Sequence, residues 1–131
     1  MILCDTNILI EFYKNNQQVV TALQKIGLSQ IAISAITKAE LYFGALNKTE
    51  LRLLKRNLAL LHSYPLDTNI STQFIALMEA YSLSHKLSIP DAIIAATALS
   101  HGVALYTLNV KDFHFTYPLN NINRVILSTQ I

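Results

Sequence analysis

Short, continuously apolar runs set the tightest limit on what this chain can fold into. Ile2-Leu3-Cys4, Ile31-Ala32-Ile33 and the stretch 103–108 (VALYTL) are apolar at both alternate positions, or nearly so. A strand with two apolar sides must be covered on both faces, as in a parallel sheet held between helices. The intervening segments read as helices. Residues 6–14 follow the first run directly, and 19–26 end at Gly27, a natural C-cap. Ser34 can cap a helix whose apolar face is Ile36, Ala39, Leu41 and Phe43.

Farther along, 49–62 reads as a long helix with leucines at 51, 54, 58 and 61 on one side. Tyr64-Pro65-Leu66 is a brief extended piece, and 69–86 a helix or a broken pair. Ser88-Ile89-Pro90-Asp91 puts cap, proline and acid in the order of a helix start, and that helix runs 92–100 and stops at Gly102. A last strand is expected at 124–127. Strands alternating with helices predict one α/β domain over 1–131, a short parallel sheet flanked by helices on both faces.

Charged residues make up only 14% of the chain and hydrophobic ones 52%. Either the polar surface is small or partners cover part of it. A formal charge of +2 does not define a nucleic-acid binder, so any basic footprint must be local. No apolar run reaches the roughly 18 residues of a membrane helix. No basic region precedes the first apolar run, so the expected location is the cytoplasm, away from membranes. One cysteine, Cys4, excludes an internal disulfide and reads as an inert buried thiol. His62, His85, His101 and His114 are scattered without zinc-ligand spacing, and read as surface or capping residues.

In a parallel sheet, ligands collect beyond the carboxyl ends of the strands. Asp5 ends the first strand, Glu40 lies two turns into the helix after the second, Asp91 begins a helix leading to the next strand, and Asp112 follows that strand. Half of the chain's eight acids thus fall where such a sheet builds a site. Each also has an ordinary reading. Asp5 could cap the helix at Thr6, Glu40 could close a capping box with Thr37, Asp91 could complement a helix dipole, and Asp112 could be a turn residue. Glu40 strains its ordinary reading most, because KAELYFGAL is otherwise apolar toward the core. Carboxylates gathered in one cleft call for a divalent cation. An oxygen-only donor set favours Mg²⁺ or Mn²⁺ over zinc.

The stretches DTNILI at 5–10, ISAITKAELYFGAL at 33–46 and PDAIIAATALSHGVALYTLNVKDF at 90–113 resemble the PIN-domain nucleases, and more narrowly the VapC-like toxins of type II toxin–antitoxin modules. The resemblance implies that Asp5, Glu40 and Asp91 hold the metal and that Asn7 helps fix the first carboxylate and the metal's waters. Thr107 and Asn109 match the polar pair at the fourth strand end. Many members carry an acid where this chain has Asn109, with Asp112 three residues on, so either could be the fourth site residue. The implied activity is metal-assisted endoribonucleolytic cleavage giving 5′-phosphate and 3′-hydroxyl ends. The implied partners are a small antitoxin that blocks the cleft and a second copy of the chain in a homodimer.

Lys48, Arg52, Lys55 and Arg56 share one face of a predicted helix, opposite its leucines, and offer either a solvated surface or a phosphate-contacting stripe. Lys38 and Lys111 could touch RNA phosphates or offset the neighbouring acids. Tyr42, Phe43, Phe74, Tyr81, Tyr106, Phe113, Phe115 and Tyr117 are mostly core candidates, and Gly44 is expected to permit a close helix approach. Two other functions remain open. A haloacid-dehalogenase-like phosphotransferase also starts from an Asp ending strand one, but wants a second Asp where this chain has Asn7. A non-catalytic RNA-binding PIN-like module would not need Asp5, Glu40 and Asp91 together.

Overall fold

The computed structural model describes residues 1–109 and 111–113, and the backbone of 125–127. The expected buried runs are strands: β1 (Ile2–Cys4), β2 (Ile31–Ser34) and β4 (Ala104–Thr107). With β3 (His62–Tyr64) and β5 (Val125–Leu127) they form one sheet in the order β3-β2-β1-β4-β5, every pairing parallel. Among the described residues, six α-helices flank it: α1 (Thr6–Tyr13), α2 (Gln17–Ile26), α3 (Ala35–Phe43), α4 (Lys48–Leu58), α5 (Thr68–Tyr81) and α6 (Ile89–His101).

Strand alternation splits the core into two layers. Leu3, Ala32 and Leu105 face α5 and α6, packing on Ile70, Leu77, Ile94 and Ala95. Cys4, Ile31, Ile33 and Tyr106 face the other way, onto Ile8, Leu9, Leu23, Leu41 and Leu58 of α1 to α4. Each fully buried leucine contributes about 1.5–3 kcal/mol by leaving water. Most of α6 is covered, and its buried alanines 92, 95, 96 and 98 let the helix lie close to its neighbours.

Local chemistry sets the helix ends. Ser34, Asn47, Asp67 and Ser88 each accept a first-turn backbone N–H. Gly102 closes α6 in the left-handed region at φ 61°, where a side chain would be strained.

Several expectations need correction. The helix expected at 49–62 ends at Leu58, because 62–64 pair with β2 as a strand and ladder bonds override the leucine periodicity. The extended piece accordingly sits at His62–Tyr64, two residues earlier than expected. The 69–86 segment is one helix ending at Tyr81.

α3 turns Thr37 and Leu41 inward, so Ala39 lies outside and Phe43 is 88% exposed. Gly44 is simply the C-cap of α3, where an added Cβ would make ordinary 3.7 Å contacts with the Glu40 and Leu41 carbonyl oxygens. No close helix approach depends on it. Tyr106 and Phe113 are core residues as expected, and Cys4 is fully buried. His101 stacks on Tyr64 with ring centroids 3.8 Å apart. The expectations at His114, Phe115, Tyr117 and Arg124 lie outside the described residues.

Candidate active site

Asp5 is the fixed point of the site. It follows β1, in the middle of the sheet, and its backbone N–H donates to the Tyr106 carbonyl at 2.9 Å, extending the β1–β4 pairing by one residue. Its extended backbone makes it the N-cap of α1, and Oδ1 accepts the Thr6 N–H at 2.7 Å. Oδ2 accepts the Thr107 hydroxyl, also at 2.7 Å. One carboxylate therefore caps α1 with one oxygen and ties to the end of β4 with the other. Asp5 is only 5% exposed. Burial raises its pKa above the ordinary value, the bonds from Thr107 and Thr6 lower it, and the charges of Glu40 and Asp112 raise it further.

The other acids come from α3, from the start of α6 and from the segment after β4. Glu40 sits in the second turn of α3, half-buried, and Oε1 accepts the Thr6 hydroxyl at 2.8 Å. A capping box between Thr37 and Glu40 is not what forms. Ser34 is the cap and Thr37 the third helical residue, so Glu40 lies too far into the helix to reach its first turn. Asp91 is in the first turn of α6, its backbone N–H donating to Ser88 Oγ at 3.2 Å. Its carboxyl is pushed up from 3.8 to about 6, first by burial, next by the Asp5 charge, with smaller contributions from Asp112 and Glu40 and an opposing one from Ser88.

Asp112 is exposed, and its backbone N–H donates to the Asn109 carbonyl at 3.0 Å. Asn109 is also exposed, and its own N–H donates to Thr107 Oγ1 at 3.0 Å. Thr107 thus links the loop after β4 to Asp5. Asn7 Oδ1 is buried without a hydrogen-bond partner among the described residues. An orphaned buried acceptor two residues along the chain from Asp5 suits an ordered water or a hydrated cation.

Asp5 feels the charges of Glu40 and Asp112, and Asp91 those of Asp5, Asp112 and Glu40. Among the described residues, no three Asp, Glu, His or Cys side chains form a ready-made metal cage. Like charges hold carboxylates apart, and a cation's charge is what draws them to a common point. The donor chemistry fits a hard divalent ion: carboxylates, an amide oxygen and hydroxyls, without sulfur or imidazole.

Beside Glu40 runs an apolar groove between α1, α3 and α4. One part, about 500 Å³, is lined by Ile10, Tyr13, Lys14, Glu40, Leu53 and Leu54 among others. The adjoining part, about 410 Å³, is lined by Thr6, Ile10, Ala39, Glu40 and Phe43. Sequence reasoning missed both Lys14 and Thr6. A lysine on the helix after Asp5, and a hydroxyl beside it, were the available signals. Lys48, Arg52, Lys55 and Arg56 are exposed on α4, and none of them lines the groove. Lys38 is half-buried and Lys111 exposed.

Acids at the carboxyl ends of a five-stranded parallel sheet, covered by helices on both faces, accord with the family comparison: residues 2–114 match the PIN domain, and the chain belongs to that family. That membership sets aside the haloacid-dehalogenase-like alternative. Among solved structures, the chain is similar over its whole length to a chain of a toxin–antitoxin complex from Klebsiella pneumoniae, covering 100% of both chains at 31% identity and a TM-score of 0.80. It is likewise similar to a chain of FitAcB from Neisseria gonorrhoeae, with 26% identity, 100% coverage of both and a TM-score of 0.74. A chain of DNA-bound VapBC from Salmonella typhimurium shares the fold at 22% identity, with 97% of each chain covered and a TM-score of 0.82. No curated protein matches the chain.

Proposed function

We propose that this chain, acting as one domain over 1–131, is a metal-dependent endoribonuclease and the toxin of a toxin–antitoxin pair. The observation that carries the reading is that Thr6 ties Asp5 to Glu40 beside the central strand's end, with Asp112 near enough to act on Asp5 and Asp91. Asp5, Glu40 and Asp91 would hold Mg²⁺ or Mn²⁺, with Asp112 or Asn109 as the fourth site residue. When bound, the ion supplies Lewis acidity to a phosphodiester and acidifies water.

The protein groups do the positioning. Thr6 N–H and the Thr107 hydroxyl fix both oxygens of Asp5, leaving their remaining lone pairs for a cation. Asn7 Oδ1 offers a buried acceptor that can orient a water proton. Asp91, with its pKa near 6, carries its charge at neutral pH and loses it in mild acid. Lys38, Lys48, Arg52, Lys55 and Arg56 are the candidate phosphate contacts, reached by RNA as it passes over the acidic cleft.

A small antitoxin is the proposed partner. The groove beside Glu40 suits an apolar segment, and a partner cation entering there would pair with the carboxylates in place of metal. The similar Klebsiella pneumoniae chain comes from a toxin–antitoxin complex. A homodimer, working in the cytoplasm, completes the reading. No helix among the described residues is long and apolar enough to cross a membrane. Purified protein is expected to cut RNA with Mg²⁺ or Mn²⁺, and Asp5→Asn to remove cutting while the protein stays folded. Undiminished cleavage in excess EDTA would overturn the metal-dependent reading.

A further inference from the structure

Behind Glu40 lies a row of hydroxyls that none of the roles above uses. Thr6 Oγ1 is 2.8 Å from Glu40 Oε1 and 2.9 Å from Thr37 Oγ1. Thr37 Oγ1 is 3.2 Å from Ser34 Oγ, which in turn accepts the Thr37 backbone N–H at 3.1 Å. Ser34 and Thr37 are completely buried.

Each hydroxyl owns one proton, and an ionised carboxylate only accepts. The proton of Thr6 therefore goes to Glu40. Thr6 must then accept from Thr37, and Thr37 from Ser34. Ser34 accepts the backbone N–H at the start of α3. Every bond points the same way, toward Glu40, and each polarises the next.

Thr6 also joins two acids. Its N–H holds Asp5 and its hydroxyl holds Glu40, so one residue sets their separation. We infer that Ser34, Thr37 and Thr6 form a one-way hydroxyl chain that locks the Glu40 carboxylate against α1, making Thr37 a positioning residue for the acid cluster. Thr37 is wholly buried. It acts through Thr6, whose own rotor would otherwise be free to turn away from Glu40. This role rests on the nuclease reading, since its purpose is to present Glu40 to a cation.

The test compares Thr37→Val, which keeps the shape and removes the hydroxyl, with Thr37→Ser, which keeps the hydroxyl. Thr6→Val, at a half-exposed position, is the second arm should buried Thr37→Val fold poorly. Mn²⁺ affinity is measured by calorimetry and RNA cleavage alongside it, with thermal melts as the control for folding. Thr6→Val is expected to weaken Mn²⁺ binding about ten-fold or more, the usual loss for a hydrogen bond to a charged group. Thr37→Val is expected to weaken it by about three- to ten-fold, as for a neutral hydrogen bond, and Thr37→Ser to restore it.

Wild-type Mn²⁺ affinity in both valine variants would overturn the chain. So would a serine variant as impaired as the valine one, because the threonine methyl would then be what matters. A wild-type protein that neither binds Mn²⁺ nor cuts RNA would instead defeat the nuclease reading itself.

Discussion

Asp91→Asn is expected to remove activity and, in metal-free buffer at neutral pH, to make the protein more stable. The Asp91 carboxyl stands at about 6 in the folded chain against an ordinary 3.8, chiefly because burial and the Asp5 charge oppose its ionisation. A carboxyl with a raised folded pKa binds more protons in the native state. Its contribution to stability is fully present below pH 3.8 and is lost as pH rises through about 6. Taken whole, the rise corresponds to roughly 3 kcal/mol at about 1.4 kcal/mol per unit. Asp91 is only half-buried, so solvent screening reduces this to about 1–2 kcal/mol. An acid at a helix start also gains about 0.3–1 kcal/mol from the dipole, which the amide forgoes.

The net gain at pH 7 is then about 1 kcal/mol, a Tm rise of about 2–6 °C for a domain of this length. Differential scanning fluorimetry in EDTA reads it directly across pH. The gain is expected to fade toward pH 4, where the folded wild-type carboxyl is already protonated. With saturating Mg²⁺ the order is expected to reverse, because only the wild type gains the full binding energy of the ion. A variant no more stable than wild type at pH 7, or a gain of equal size at pH 4, would refute this account of a strained acidic cluster.

Asp112→Asn is expected to weaken Mg²⁺ binding less than Asp91→Asn, since Asp112 is exposed on the loop after β4. Calorimetric titration of both variants checks this, and an equal or larger loss at Asp112 would make it a direct ligand. Replacing Arg52 and Lys55 with Ala is expected to lower the log–log salt slope of RNA binding by about 0.7 for each phosphate of a single strand that is no longer neutralised. An unchanged slope would leave α4 with a merely solvated face.

Much of the fold was legible because both-sided apolar runs have few structural solutions. Ile2–Cys4 and Ile31–Ser34 are strands, and Ser34, Ser88 and Gly102 bound helices where their chemistry predicts. Misreadings arose where tertiary pairing decides. The leucine period running through Leu61 cannot reveal that His62 will pair with Ala32. In α3, counting apolar residues gave Phe43 to the core. The buried polar pair Ser34–Thr37 instead turns that helix, and Phe43 goes out with it. The same rotation places Glu40 where Thr6 can reach it, a contact between residues 34 positions apart that local patterns do not encode. Asp5 was legible as a cap, and it serves as one while its second oxygen turns to Thr107.

The position of β1 between β2 and β4 has a consequence for how the enzyme comes into being. Asp5 is made well before its partners: the hydroxyl holding its Oδ2 belongs to a residue 102 positions later, and its N–H awaits the Tyr106 carbonyl. Parallel strands joined by such long detours pair late, because the entropy of loop closure is spent before any pairing rewards it. During synthesis the α1–α3 half can gather Asp5, Thr6 and Glu40, but β1 keeps a bare edge until residues 104–107 emerge and dock. A chain still being translated therefore lacks the hydroxyl that fixes Asp5 Oδ2 until Thr107 has been made. The cap on the central acid is complete only when the central strand gains its second neighbour.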